Sequence, residues 1–212
     1  RIGRVLKTLE DIGRRDHTLV VFLSDNGGPE AKNGSDNGPL RGAKGDVFEG
    51  GVHVPFVMNL PALLPAGMVY DHPVVSLDIA HTAMGLAGIQ SIKGADGVNL
   101  VPYLMGKESG PPHEAIFWRT AGDAKRAVRR GNDKLIIQGG QTLLFDLQQD
   151  LSETRNLADQ KPGIVSDVSK MFQQWNRGNK PAIFPGYRDY HDRLKEFHRQ
   201  IEAGAQAADL RK

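Results

Sequence analysis

An apolar run from Leu19 to Leu23 breaks off at Ser24, Asp25, Asn26, Gly27 and Gly28, and this junction constrains the fold more than any other stretch. Aliphatic and aromatic residues bounded by turn formers read as a short strand buried on both faces. In sheets of that kind, ligands sit beyond the carboxyl ends of the strands. Asp25 and Asn26 stand at such an end. Both offer hard oxygen donors, one charged and one neutral, suited to Ca²⁺ or Mg²⁺. Asp-Asn-Gly-Gly is also ordinary turn chemistry, because Asn and Gly accept left-handed backbone. On these residues alone both readings stay open.

The next thirty residues add to the constraint. Asn37 to Gly45 and Glu49 to Pro55 form a glycine-dense loop with a single lysine, Lys44, in its middle. A lysine on such a loop can swing an ammonium with three donors over an anionic ligand. His53 lies in the same loop; more often a lone histidine there is packed or solvated, but it is a weaker candidate for substrate contact. Arg41 and Glu49 can pair to brace the loop.

Together these segments resemble the sulfatase family, arylsulfatase-like members of the alkaline phosphatase superfamily. That family repeats S-D-N-G-G after a strand, then P-L-R-G-G-K-G, then E-G-G-x-R-V-P-F with Ile or Val at x. This chain has Ser24 to Gly28, Pro39 to Gly45 and Glu49 to Phe56, departing at Ala43 and His53. Further on, residues 127–136 resemble the family's A-x-R-x-G-x-x-K-L-I, and Leu144 to Ala158 resemble its L-Y-D-L-x-x-D-P-x-E-x-x-N-L-A, with Leu151 in place of Pro.

The resemblance implies a fold and a chemistry. The fold is α/β: the C-terminal portion of an alkaline-phosphatase-like α/β sandwich plus a small antiparallel sheet packed on a helix. Residues 1–112 would complete the large domain, and 113–212 would form a small α+β subdomain with a helical tail. Asp25 and Asn26 match one half of a Ca²⁺ site (Mg²⁺ being possible), and Lys44 matches a sulfate-contacting lysine. The family's nucleophile is formylglycine, made from Cys or Ser in C/S-x-P-x-R. That motif is absent; Ser109-Gly110-Pro111-Pro112-His113 is the nearest approach and lacks the Arg. The expectation is therefore half of an active site, in a chain inactive by itself. The N-terminal part of the same enzyme would be its partner, and a sulfated small molecule or glycan its substrate. Secretion or a periplasmic location is favoured by the resemblance. A phosphoester or phosphonate hydrolase of the same superfamily, or a non-catalytic module, are the alternatives.

Composition narrows the field. A net charge of +2, with both signs mixed, argues against a nucleic-acid surface. Lys125, Arg126, Arg129 and Arg130 read as a solvated strand face. No apolar run approaches the ~20 residues a membrane helix needs. Without cysteine, disulfides and thiol catalysis are excluded.

The rest follows local pattern. Helical spacing predicts a helix over residues 1–15, an apolar run stopped by Pro61 predicts a buried strand over 56–60, and a helix is expected over 79–87 with Asp78 at its N-cap and Gly88 at its stop. Residues 115–119, 126–130, 134–137 and 143–147 predict an antiparallel meander. Ile164, Val165, Val168, Met171, Phe172 and Trp175 form the stripe of a helix that docks on it. Tyr190, Leu194, Phe197 and Ile201 space a last helix.

Overall fold

The structure is a computed structural model, and it describes residues 1–90, 92–120 and 125–180. Helix α1 runs Ile2–Asp11, closed by Gly13 at φ 67. It feeds strand β1, Val20–Leu23, which pairs antiparallel with β2, Phe56–Asn59. Three single-turn helices, α2 (Glu30–Asn33), α3 (Glu49–Val52) and α5 (Val101–Leu104), punctuate the loops, and α4 spans Asp78–Leu86. The predicted helix over 190–201 lies outside the described residues.

Strands β3 (Ile116–Arg119), β4 (Lys125–Arg130), β5 (Asp133–Gln138) and β6 (Gln141–Asp146) form an antiparallel meander in sequential order. Side chains alternate across such a sheet, so it has two faces. On one, Val128, Leu135 and Leu144 pack with Val168 and Phe172 of α6, Pro162–Arg177. Phe117 stacks on Trp175 with centroids 4.9 Å apart. The apolar stripe of α6 is core, as its spacing predicts. On the other face, Ala127, Ile136 and Phe145 pack with Val47 and Phe48 from the glycine-dense loop. The loop is thus tied by apolar burial to a sheet some eighty residues downstream.

Two expectations are corrected here. Strand β1 is not buried on both faces among the described residues: Phe22 and its cross-strand partner Val57 are 49% and 55% exposed. Its one hydrogen-bonded neighbour there is β2, and the face carrying that pair is left open. Nor are Lys125 and Arg129 a solvated face. Both alternate onto the loop-facing side of the sheet, where Lys125 meets Asp46 and Arg129 reaches Glu49.

Candidate functional site

The turn after β1 is built by short polar contacts. Ser24 Oγ donates to the Asn26 carbonyl at 2.8 Å, and the Ser24 amide donates to the Pro55 carbonyl at the end of the strand pair. The Gly27 amide then donates to the Gly51 carbonyl at 3.0 Å, and the Lys44 amide donates to the Gly28 carbonyl at 3.2 Å. Asn37 clamps the same place: its Oδ1 accepts from the Gly28 amide, while its Nδ2 donates to the Gly28 and Gly42 carbonyls. Backbones meet so closely that a methyl group on Gly27 would overlap the Gly50 carbonyl. That is why glycine is needed there: it alone permits such an approach.

This stitching brings the turn carrying Asp25 and Asn26 against the loop carrying Lys44. Asp25 is exposed, and its carboxylate has no hydrogen-bond or ion-pair partner among the described residues. The Asn26 amide nitrogen donates to the Gly27 carbonyl at 2.9 Å, leaving its Oδ1 without a partner there. Lys44 is exposed, with its ammonium unpaired among the described residues. Among those residues no group of three or more His, Cys, Asp or Glu gathers as a metal site. Asp25 and Asn26 fit a hard cation in donor chemistry, as two oxygens of a larger set.

His53 is half exposed, and its Nδ1 lies 2.9 Å from Glu49 Oε2. Glu49 itself is buried at the start of α3 and is the hub of a charge network. Its Oε1 accepts from Lys134 Nζ at 2.7 Å, and Arg129 Nη1 approaches its Oε2 at 3.5 Å. Lys134 is fully buried and also lies 3.0 Å from Glu153 Oε1. Glu153 Oε2 in turn accepts from the Glu49 amide at 2.6 Å. Burial pushes the Glu49 carboxyl up, but the bond to His53 and the charges of Lys134 and Arg129 outweigh it and lower its pKa to about 2. Glu153 moves the other way: burial raises it, more than Lys134 and the Glu49 amide can offset. One fully buried ammonium neutralises one carboxylate well and the second incompletely. Glu153 also holds a left-handed φ of 54, a strained backbone for a residue with a side chain.

The expected Arg41–Glu49 pair does not form. Arg41 donates instead to the Glu153 carbonyl at 2.9 Å and lies 4.1 Å over the Phe48 ring. Both residues brace the loop, with different partners, because the downstream sheet supplies a closer counter-charge for Glu49. Arg129, Lys134 and Glu153 were missed as a network. Lys134 heading an apolar strand was the available signal, since a buried lysine demands a carboxylate.

Asp78 is the first residue of α4 rather than its cap. Its carboxylate accepts from the amides of Val75 and Val98, and His113 Nε2 lies 3.0 Å from both oxygens. The Ser109-to-His113 stretch therefore ends in a structural tie.

The fold is α/β and of the alkaline-phosphatase-like class. It aligns with the crystal structure of Ps i-CgsB in complex with k-i-k-neocarrahexaose at a TM-score of 0.79 and 26% identity, covering 100% of this chain and 47% of that one. The family model described as Sulfatase matches residues 1–89. Arylsulfatase H of Canis lupus familiaris is 37% identical over 225 residues, covering 87% of this chain and 40% of that protein. Arylsulfatase A of Bos taurus is 32% identical over 203 residues, covering 82% and 40% respectively. The chain belongs to the sulfatase family. It spans about two fifths of the length of these two relatives.

Proposed function

We propose that this chain forms part of a sulfuric ester hydrolase, with Lys44 contacting the sulfate and Asp25 and Asn26 holding a divalent cation, Ca²⁺ or Mg²⁺. The observation that carries this reading is the pair of backbone bonds, Gly27 to Gly51 and Lys44 to Gly28, that joins the Asp25–Asn26 turn to the Lys44 loop. Among the described residues, an unpaired carboxylate, a free amide oxygen and an unpaired ammonium then belong to one stitched unit. Structural roles do not require those three groups to be left without partners.

Hydrolysis of a sulfate ester needs its anionic oxygens neutralised as the ester bond breaks. Lys44 supplies a mobile positive charge to those oxygens, which is worth more as charge develops in the transition state. A bound divalent cation would polarise the same oxygens as a Lewis acid. The Asn37 clamp and the glycine contacts fix where the Lys44 backbone sits, so its side chain searches a small volume. The nucleophile, a formylglycine, comes from outside these 212 residues, from the N-terminal part of the same enzyme. The substrate is a sulfated small molecule or glycan, and secretion or periplasmic export is the setting we favour.

The test uses the full-length protein that carries this chain. Lys44→Ala is expected to lower turnover of an aryl sulfate by about a hundredfold or more, the scale of losing one charge-stabilising donor, with Tm unchanged. Equal turnover by the variant would overturn the role given to Lys44.

A further inference from the structure

Lys44 rides on a four-residue turn, Ala43 to Asp46. The Asp46 amide donates to the Ala43 carbonyl at 2.9 Å, and Gly45 at the third position takes a left-handed φ of 90. The Asp46 carboxylate closes the turn a second time, its Oδ2 accepting from the Ala43 amide at 3.1 Å. Lys125, the first residue of β4, then reaches across from the downstream sheet. Its Nζ donates to the Gly45 carbonyl at 3.0 Å and to Asp46 Oδ1. One ammonium thus grips both the residue after Lys44 and the carboxylate that closes its turn. The Lys44 amide is held separately, by the Gly28 carbonyl at 3.2 Å. Val47 and Phe48, buried against the same sheet, anchor the chain just beyond.

We infer that Lys125 is a positioning residue for sulfate-ester hydrolysis: it fixes the turn from which the Lys44 side chain reaches the sulfate, and so acts through Lys44. This role rests on the sulfatase reading above. The Lys125 and Asp46 side chains are each about a third exposed, and an ion pair so exposed contributes little to global stability. Its effect is local. A turn free to rock carries the base of the Lys44 side chain with it, and a charge displaced by about an ångström stabilises a transition state far less well. The pair therefore matters to turnover more than to folding.

A double-mutant cycle in the full-length protein tests this, read as kcat/KM for para-nitrophenyl sulfate and as Tm. Lys125→Met is expected to lower kcat/KM about tenfold, short of the roughly hundredfold that a misplaced group can cost, with Tm unchanged. In a Lys44→Ala background the same change is expected to alter kcat/KM by less than about twofold, because effects that pass through a shared residue do not add. A general loss of fold, or a direct pull of the Lys125 charge on the anionic ester, would persist in that background. An unchanged kcat/KM in Lys125→Met, or an equal fall with and without Lys44, overturns the inference and leaves the sulfatase reading standing. Where Lys44→Ala leaves no readable turnover, hydrogen exchange at the Lys44 and Asp46 amides decides. Faster exchange in Lys125→Met than in the parent, with the β5 amides unchanged, supports the role, and equal exchange overturns it. Turnover by Lys44→Ala equal to the parent's overturns both this role and that of Lys44.

Discussion

Single residues carry the sharpest consequences. Gly27 sits where any side chain would run into the Gly50 carbonyl, so Gly27→Ala must move backbone on one side or the other. We expect a loss of about 1–3 kcal/mol, the usual range of substitutions that overpack a close contact, read by urea unfolding. Lys134 is the opposite kind of residue, a buried charge that two carboxylates depend on. Lys134→Met leaves both without their shared partner and is expected to cost about 3–5 kcal/mol, measured in the same way. The network also sets an acid limit. Glu49 has a folded pKa near 2 against an ordinary value of 4.5. A depressed carboxyl stabilises the fold above its unfolded pKa, and that contribution is lost as pH falls from about 4.5 through about 2. Glu153 opposes it, because its raised pKa contributes stability that is lost as pH rises through the folded value. Stability measured against pH is expected to fall below about 4.5 in the parent, with a shallower acid slope in Glu49→Gln; equal slopes would mean that Glu49 is not the group titrating.

At the scale of elements, the meander and α6 behave as their patterns say. Apolar residues at helical spacing in α6 meet apolar residues at strand spacing in β4 to β6, and the two periods leave one way to bury both. Phe172, 4% exposed, is the anchor. Phe172→Ala is expected to cost about 3–5 kcal/mol, the usual range for a buried aromatic, and thermal unfolding will show it. Helix α1 differs. Ile2, Val5 and Ile12 share its apolar stripe yet stay at least half exposed among the described residues. Periodicity gave the helix correctly and gave no account of what its apolar face meets.

Across the whole chain, that exposed face joins a pattern that includes Phe22, Val57 and Val69, the last 82% exposed. Apolar surface on this scale drives association in water. Residues 1–212 expressed alone are expected to self-associate, seen as a mass above 23.2 kDa by light scattering, and Phe22→Ser with Val57→Ser to reduce it. The sequence by itself determined the α/β class, the family, the meander, the α6 stripe and the turn-and-loop motif. Those are local matters, set by side-chain period and by which residues tolerate a tight turn. It did not determine the cationic partners of Glu49 on the sheet, Arg129 and Lys134, which lie eighty and more residues away. Nor did it show that the basic residues of β4 turn inward, or that β1 carries an open apolar pair. Those depend on which sheet face meets which loop, and only the tertiary structure decides this, because a buried charge takes whichever opposite charge the packed chain brings within a few ångströms.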